Sequence, residues 1–494
     1  MRKLFPLALF LFILSFFGIA AGAALKLPAD RILRISGDSV EFEHHGSLPL
    51  SEAAEAFHHW EGEALAVPLD AVKVGFKEVA ATLKKGEVFR LDVYDPLYIK
   101  TILVALTTDE FRSIEHKELS FTPTSKLFVE EKGTGRGFIV EEGEEAVVYA
   151  KEGKLLFKDG KGGLWEFAQR LYLSAPAGGL IQINTFLRGT TTKFYPRYRG
   201  RFELSICGEE HFLAINEVDL EEYLYQVVPS EMPKSWPLEA LKAQAVAART
   251  FAVAQAVYSR QGHLGYHVRD DTSSQVYNNQ PEAEAASQAI DETAGLILAQ
   301  KDGTIGSAYF YSTSAGGSLE TLAEWENTEL WAAEGNSPWF RWQCTFSQED
   351  LKELFKNEGL GEILGLKITE RDDRGRVSAL EVKGTLKSVV VRGELTIRNA
   401  LAPKKLVRLA DVLTNEALLP SAFFLVEQSR DEKGRLKSAV LYGGGSGHGL
   451  GMSQWGAKGL AEAGFDYESI LKRYYPNTRL LTHSERLRYG NNAE

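Results

Sequence analysis

Cysteine is scarce in this chain of 494 residues, because Cys207 and Cys344 are the only two. Two cysteines cannot build a Cys₄ zinc site or a dense disulfide scaffold, so both are excluded. The pair lies far apart in the sequence. It can form one disulfide outside the cytoplasm or remain as two buried thiols, and the sequence leaves both alternatives open.

The chain also lacks runs of lysine and arginine. Its 56 Lys and Arg residues are outnumbered by 67 Asp and Glu residues, which gives a net charge of −11. Nucleic-acid-binding domains usually carry a basic patch, so this balance argues against nucleic acid as a partner. Apolar residues make up 44% of the chain and charged residues 25%. That is ordinary globular usage, which excludes a disordered, collagen-like or coiled-coil chain.

Long apolar runs are missing beyond the N-terminus. There, Arg2 and Lys3 precede an apolar run from Leu4 to Ile19, and Ala21-Gly22-Ala23 supplies a small-residue cleavage site. This pattern predicts a secretory signal peptide over residues 1–23. The run is slightly shorter than the ~20 residues of a membrane-spanning helix, and an uncleaved membrane anchor is the alternative. In either case we expect an exported protein, which meets the membrane only through this segment.

Residues 27–176 are predicted to form a β-rich region. Segments such as Val88–Tyr94 and Leu127–Glu131 alternate or run apolar, and glycine or charge ends each one. His44-His45 and His58-His59 resemble metal-binding pairs. Neighbouring side chains on one strand point apart, so surface histidines are the preferred interpretation. We find no catalytic spacing in this region.

From residue 178 the pattern becomes mixed α/β. Short strands precede a helix that should begin at Asp219, with Glu222 at the spacing of a capping box. This helix is expected to end at Val228, because the residue before a proline disfavours helical geometry. A second helix should begin at Trp236-Pro237 and continue to about Tyr258. The predicted class is therefore α+β, a β-rich N-terminal region followed by a mixed α/β domain.

Two later segments repeat one pattern. Residues 371–376 precede the predicted strand 377–384, and residues 430–435 precede the predicted strand 436–443. Each segment predicts a hairpin with an Asp/Gly turn. Shared turn chemistry and an internal duplication both explain the pair.

The first of four chemically notable loops is Pro229-Ser230-Glu231-Met232-Pro233. Two prolines place Glu231 on a stiff connection between the predicted helices. Partial desolvation near Trp236 would raise the pKa of this carboxyl group, which suits a general acid. The alternative is a glutamate that caps a helix or lies on the surface.

The second loop, His267–Asn279, is dense in side chains that donate and accept hydrogen bonds. Such a loop could line a sugar groove, and a polar surface loop is the alternative. The third loop, Ser312–Ser318, contains small residues that let a ligand approach the backbone. A serine nucleophile there would need a base held nearby, which no spacing in the sequence indicates.

The fourth loop, Gly443–Gln454, is rich in glycine and lies between a predicted strand and a predicted helix. It matches neither G-x-G-x-x-G nor G-x-x-x-x-G-K-[ST], so a nucleotide loop is excluded. His448 is the ionisable residue in this loop. We expect it to be placed against a ligand, with a packing role as the alternative.

Two long motifs together resemble the stage II sporulation protein D (SpoIID) family. The early motif comprises Glu221–Leu224, Pro229–Pro233 and Leu241–Thr250, and the late one comprises Gly447–Ala457 followed by Tyr474–Thr478. The resemblance covers residues 178–482 in the family's order and spacing, and the region 27–176 lies outside it.

The resemblance implies a peptidoglycan lytic transglycosylase linked to sporulation, and a related branch of the family enhances cell-wall amidases. It implies that Glu231 is the catalytic acid/base and that peptidoglycan glycan strands, and for the alternative an amidase, are the partners. Some members bind zinc through a histidine and cysteines in the second loop. Here the loop has His267 but no cysteine, so neither metal nor cofactor is predicted. The predicted glycan-positioning residues are His267, Gln275, Tyr277, Ser314, Gly316, Gly317, His448, Ser453 and Gln454.

Overall fold

The computed structural model describes residues 24–484, apart from 61, 97, 169, 191, 259–260, 317–333 and 410. The predicted signal peptide and Gly317 lie outside the described residues. Within these limits the chain is mixed α/β and rich in strands, as the sequence predicts. No helix in the described ranges is long and apolar enough to cross a membrane.

The chain forms two compact units. Of the described residues, those within 1–234, 248–307 and 478–494 form the first unit, and those within 235–247 and 308–477 form the second. This division differs from the predicted boundary at residues 176–178, which falls inside the first unit. The physical reason is a shared sheet, because strands on both sides of that boundary pair with each other.

The N-terminal part of the first unit contains a sheet in which β4 and β7 are parallel and the other pairs are antiparallel. Its strands are β1 (Leu25–Asp30), β2 (Ile32–Ile35), β3 (Ser39–Phe42), β4 (Gly46–Trp60), β5 (Glu63–Val67), β6 (Val79–Lys84) and β7 (Glu87–Val93). Their order is β1-β6-β7-β4-β3-β2, and β5 pairs with β4.

Two further sheets complete this part of the chain. Their strands are β8 (Thr101–Ala105), β9 (Glu115–His116), β10 (Glu118–Pro123), β11 (Leu127–Glu131), β12 (Gly137–Val140), β13 (Ala146–Lys151), β14 (Lys154–Lys158), β15 (Leu164–Phe167), β16 (Arg170–Ser174), β17 (Ile181–Ile183), β18 (Arg197–Tyr198), β19 (Arg201–Ile206), β20 (Phe212–Asp219) and β21 (Val268–Arg269). One sheet has the order β15-β14-β13-β10-β17-β18, and the other β12-β11-β16-β19-β20-β8-β21. In the second order, strands on both sides of the predicted boundary are neighbours, since β16 pairs with β19 and β8 pairs with β20.

Helices follow the last long strand of this sheet. They are α1 (Leu220–Glu231), α2 (Leu238–Tyr258) and α3 (Glu284–Glu292). The apolar positions predicted for α1 are buried, namely Leu220, Tyr223, Leu224 and Val227. The N-terminal part of α2 belongs to the second unit, and the remainder belongs to the first.

After β22 (Leu296–Gln300), the chain enters the second unit, which has its own apolar core. Its strands are β23 (Phe310–Tyr311), β24 (Trp342–Ser347), β25 (Ile363–Arg371), β26 (Val377–Gly384), β27 (Ser388–Arg392), β28 (Lys405–Arg408), β29 (Val412–Thr414), β30 (Phe424–Arg430), β31 (Leu436–Gly443) and β32 (Met452–Ser453). Its remaining helices are α4 (Gln348–Leu354), α5 (Glu394–Ala400), α6 (Gln454–Glu462) and α7 (Tyr467–Tyr474). The chain then returns to the first unit, where β33 (Thr478–Thr482) pairs with β22.

The sheets of the second unit have the orders β29-β28-β24-β31-β30, β25-β26-β27 and β23-β32. Both predicted hairpins are present, as β25–β26 and β30–β31. Neither cysteine forms a disulfide: Cys207 is exposed and Cys344 is buried. Of the two predicted alternatives, the structure has the two unpaired thiols, but only that of Cys344 is buried.

Candidate functional site

Glu231 is the last residue of α1. The Asp219 side chain caps the start of this helix by accepting hydrogen bonds from the backbone N–H groups of Glu221 and Glu222. The helix does not end at Val228, as predicted, but continues through Pro229. An internal proline removes one backbone hydrogen bond, and the buried apolar face of α1 holds the helix past it.

The segment that follows Glu231 leaves the helix abruptly. Met232 has extended geometry, with φ −132° and ψ 134°, as the following Pro233 favours. The predicted stiff connection is therefore present but begins one residue after Glu231. The carboxylate projects from the final turn of a helix, a more rigid support than a loop.

The polar loop between residues 270 and 280 packs against this end of α1. The Val276 backbone N–H donates to Glu231 Oε1 at 2.7 Å. Ser230 Oγ accepts from the backbone N–H groups of Asn279 and Gln280 at 2.9 and 3.1 Å, and donates to the Gln226 carbonyl at 2.6 Å. The structure thus brings the first and second predicted loops together at Glu231, whose side chain is half-buried.

Gln275 and Tyr277 form a buried layer beside Glu231. The Tyr223 hydroxyl donates to Gln275 Oε1 at 3.1 Å, and Gln275 Nε2 donates to the Ala248 carbonyl at 3.3 Å. The Tyr277 hydroxyl donates to Asn216 Oδ1 at 2.8 Å. Burial, and then the negative charge of Glu231, raises the pKa of Tyr223 well above its ordinary value, so its hydroxyl remains a donor. Gln275 and Tyr277, predicted to position glycan, thus support the loop that holds Glu231.

His267 is buried, and both of its ring nitrogens contact backbone groups. Its Nδ1 accepts from the Leu103 backbone N–H at 3.2 Å, so Nε2 carries the proton and donates to the Val74 carbonyl at 3.1 Å. Burial lowers the pKa of His267 to about 4. The neutral ring therefore joins β21 to neighbouring backbone, and neither nitrogen has a lone pair available for a ligand or zinc in this arrangement.

A buried ion pair anchors the start of the same loop. Arg188 Nη2 donates to Asp270 Oδ2 at 2.9 Å, and the Thr107 backbone N–H donates to Asp270 Oδ1 at 3.0 Å. Both charged side chains have no exposed surface. Burial raises the pKa of Asp270 to about 6, although Arg188 opposes this. The loop that contacts Glu231 is thereby tied to the sheet at its first residues.

The remaining predicted residues lie in the second unit, where β23 and β32 pair in parallel. The Ser314 backbone N–H donates to Glu334 Oε2 at 3.1 Å, and Ser453 Oγ donates to Glu334 Oε1 at 2.5 Å. Ser453 Oγ also accepts from the Gly456 N–H and so caps α6. The fully buried carboxyl group of Glu334 therefore joins the third and fourth predicted loops.

His448 lies against the aromatic residues of β23. Its ring centroid is 5.7 Å from that of Tyr311, and its Nδ1 accepts from the Leu450 backbone N–H at 3.1 Å. Burial lowers the pKa of His448, while a hydrogen bond to the Phe310 backbone opposes this. The Nδ1 atom therefore contacts backbone, in agreement with the packing alternative. A role of His448 towards a ligand stays a prediction.

The glycines around His448 permit close packing of two backbones. A Cβ on Gly445 would lie 2.7 Å from Ala315 N, and one on Gly451 would lie 1.9 Å from the Tyr309 carbonyl oxygen. Both glycines also have positive φ angles. Gly445 thus allows the fourth loop to approach the third loop closely, and Gly451 allows it to approach the residue before β23, without a phosphate ligand.

Two other predicted residues of this unit, Gln454 and Gly316, have hydrogen bonds to partners other than Glu334. The Gln454 amide donates to Gln244 Oε1 at 3.3 Å, and both glutamines are buried. The Gly316 N–H donates to Ser314 Oγ at 3.2 Å, which turns the third loop back on itself. The structure therefore forms one group around Glu231 and a second group around Glu334.

Comparisons with known proteins agree with these groupings. The family described as "Stage II sporulation protein" matches residues 208–299, and a domain of unknown function (DUF8618) matches residues 306–451. An uncharacterized protein of Brachyspira hyodysenteriae is 30% identical over 270 residues, which cover 53% of this chain and 67% of that protein. The "Stage II sporulation protein D" of Bacillus subtilis is 29% identical over 54% of this chain and 76% of its own.

The chain belongs to the stage II sporulation protein D family. A further relative is the "Amidase enhancer" of Bacillus subtilis, which is 28% identical over 52% of this chain and 40% of its own length. The matched segment 208–299 includes Glu231 and the loop that contacts it. The SpoIID-family segment therefore contains the complete first group.

The described residues of this SpoIID-family protein contain one set of three side chains with metal-ligand spacing, Asp30, Glu43 and His44. Their ligand atoms lie within 4.8 Å of one another. Asp30 already accepts hydrogen bonds from the backbone of Arg31, His44 and His45 and from the His44 ring. These contacts occupy the lone pairs that a metal would need.

Glu334 is the functional candidate that sequence reasoning missed. Burial raises its pKa to about 8, against the hydrogen bonds from Ser453 and Ser314. It lies outside both long motifs, in a stretch without distinctive spacing. Its position becomes evident only when the fold brings it between the third and fourth loops.

Proposed function

We propose that this protein is a peptidoglycan lytic transglycosylase with Glu231 as its general acid and base. The observation that supports this most directly is the position of the Glu231 carboxylate. It lies on the last turn of α1 and is fixed by the Val276 N–H at 2.7 Å. Family membership and the names of the relatives support a role in the cell wall.

One carboxyl group is sufficient for this reaction. Protonated Glu231 donates its proton to the oxygen between N-acetylmuramic acid and N-acetylglucosamine, and the C1–O bond breaks. The C6 hydroxyl of the muramic acid then attacks C1, and the Glu231 carboxylate accepts the hydroxyl proton. The product is a 1,6-anhydro end, the leaving sugar has gained a hydroxyl group, and Glu231 is protonated again.

The residues around Glu231 keep this carboxyl group in place. Val276 fixes one carboxylate oxygen, and Ser230 holds the same loop through two further backbone N–H groups. Accurate placement of an acid contributes as much to the rate as its acidity, because a misaligned proton transfer loses the advantage of proximity. Substrate contact by His448, Ser314 and Gly316 is part of this proposal.

A second function is favoured by a specific relative. The "Amidase enhancer" of Bacillus subtilis matches about half of this chain, which supports a non-enzymatic, glycan-binding partner of a cell-wall amidase. Both functions place the protein outside the cytoplasm, where its N-terminal segment would direct it. The sporulation process itself is proposed from the family name.

Product analysis separates the two functions. Purified protein is incubated with glycan strands, and the products are analysed by mass spectrometry. Transglycosylase activity gives 1,6-anhydromuramic ends in the absence of any amidase. An enhancer gives no such ends but increases the release of stem peptides when a cell-wall amidase is added.

A further inference from the structure

A cavity of about 340 Å³ in the second unit contains two arginines, Arg341 and Arg371. This volume is within the range of small-ligand sites. The wall is formed by the third loop, the β25–β26 turn and the adjoining ends of β30 and β31. Its lining residues besides the arginines are Ala315, Gly316, Gly375, Phe423, Phe424, Leu425, Tyr442, Gly443 and Gly444.

Neither guanidinium group has a carboxylate partner among the residues that the structure describes. Burial lowers the pKa of Arg341 and that of Arg371, and no neighbouring charge offsets this for either residue. Over the ranges that the structure describes, no carboxylate oxygen lies within 4.0 Å of a guanidinium nitrogen of either residue. This is notable in a chain with a net charge of −11, where acids outnumber bases.

Both guanidinium groups are held in place by backbone carbonyls. Arg341 Nη1 donates to the carbonyls of Phe340 and Ala315 at 2.7 and 3.2 Å, and its guanidinium lies 3.9 Å from the Phe340 ring centroid. Arg371 donates from Nη1 and Nη2 to the carbonyls of Gly375 and Phe424 at 2.8 and 2.7 Å. These contacts use two of the five N–H donors of each group, so within the described part of the chain three donors of each are left for a ligand.

An exposed apolar pair borders the arginines. Leu425 and Tyr442 are directly opposite each other on β30 and β31, and they are 66% and 45% exposed. A pair of guanidinium groups beside an apolar surface matches a ligand that combines a carboxylate with a carbon framework. A free inorganic anion would leave the apolar pair without a contact.

We propose that Arg341 and Arg371 form a binding site for a carboxylate group of peptidoglycan. The choice of peptidoglycan as the ligand rests on the proposed function. The shared chemistry is one carboxylate beside an apolar framework, and it has two sources. One is the lactyl carboxylate of a muramic acid that has lost its stem peptide, and the other is a carboxylate of the stem peptide itself.

The test measures binding without cleavage, in full-length protein that carries Glu231→Gln. Three ligands of equal glycan length are titrated calorimetrically at low and high salt. They are strands with free lactyl groups, strands with intact stem peptides, and chitin oligosaccharides, which contain no carboxylate. The structure offers a matched control in Arg430, whose Nη1 and Nη2 donate to the carbonyls of Gly434 and Leu364 at 3.0 and 3.2 Å outside this cavity.

We expect at least one carboxylate ligand to bind about tenfold or more tightly than chitin, with the advantage reduced by salt. The double variant Arg341→Gln/Arg371→Gln should lose this advantage and Arg430→Gln should keep it. The ligand that shows the advantage identifies the source of the carboxylate. Equal affinity for all three ligands, an advantage that survives in the double variant, or an equal loss in Arg430→Gln would overturn the site.

This readout is independent of catalysis. A wild-type protein that yields no anhydro ends but binds carboxylate ligands through Arg341 and Arg371 disproves the transglycosylase and keeps the site. A wild-type protein that cleaves strands with anhydro ends but has no preference for carboxylate ligands supports the transglycosylase and disproves the site.

Discussion

The backbone N–H of Val276 donates a hydrogen bond to the Glu231 carboxylate at 2.7 Å. This bond joins the last turn of α1 to a loop that lies 45 residues further along the chain. The loop is held at its start by Asp270 and at its end by Ser230. The carboxylate is consequently positioned by the fold of the first unit rather than by its immediate neighbours in the sequence.

Loss of the Tyr223 hydroxyl should destabilise this arrangement. Tyr223→Phe leaves the buried Gln275 Oε1 without its donor, and we expect the free energy of unfolding to fall by about 1–3 kcal/mol. Urea denaturation measures this change. The control is Tyr225→Phe on the same helix, where the hydroxyl bonds Asp291 at the surface and the loss should be smaller. Equal losses in the two variants would show that the buried hydrogen bond contributes no more to the free energy of unfolding than the exposed one.

Gly451→Ala should be far more costly than Gly464→Ala. Both glycines have positive φ, 73° and 91°, so each substitution costs about 1–2 kcal/mol in backbone strain. A Cβ on Gly451 also meets the Tyr309 carbonyl oxygen at 1.9 Å, whereas Gly464 has open space. Overpacking of this kind adds about 1–3 kcal/mol. Thermal unfolding of the two variants side by side tests the close approach of Gly451 to Tyr309, and matching melting temperatures would contradict it.

Glu334 should make stability depend on pH. Its folded-state pKa is raised to about 8, so between about pH 4.5 and 8 the folded state binds more protons than the unfolded state. Stability should therefore fall as pH rises through this window, by up to about 1.4 kcal/mol per pH unit. Glu334→Gln removes the titration and should flatten the profile. Denaturant unfolding at several pH values measures the difference between the two proteins, and parallel profiles would refute the assignment.

His267 should make the protein less stable as pH falls, the opposite of the pH dependence expected from Glu334. Its pKa is lowered to about 4, so between about pH 4 and 6.5 the unfolded state binds more protons. The stability that the neutral ring contributes is present above pH 6.5 and is lost as pH falls towards 4. His267→Asn should be less stable at pH 7 but less sensitive to acid. A variant as acid-sensitive as the wild type would contradict the buried, neutral assignment.

The local pattern of the sequence predicted much of the fold. The Asp219 cap, the buried face of α1, the start of α2 after Pro237 and both Asp/Gly hairpins depend on short-range chemistry, and the structure has all of them. The predicted end of α1 at Val228 was wrong. Burial of the apolar helix face outweighed the tendency of Pro229 to end the helix before it. The boundary predicted at 176–178 differs from the division into two units, because strand pairing across it is a long-range contact that no local pattern reveals.

The candidate site was predictable only in part. The motif around Glu231 and the polar loop were found separately, and the fold brings them together. Burial of His267 and Gln275, the position of Glu334 and the lack of a described carboxylate partner for Arg341 and Arg371 depend on three-dimensional neighbours. Residue type alone could not distinguish these cases from exposed polar residues.

The most direct test compares wild-type protein with Glu231→Gln and Glu222→Gln on purified glycan strands. Glu222 lies in the first turn of the same helix and is half-buried, so it controls for loss of a carboxylate from α1. Mass spectrometry of the products should show 1,6-anhydromuramic ends with the wild type and Glu222→Gln. Glu231→Gln, folded as judged by circular dichroism, should reduce their yield by a factor of about 100 or more. An unchanged yield with Glu231→Gln, or no anhydro ends with the wild type, would contradict the proposed catalytic role.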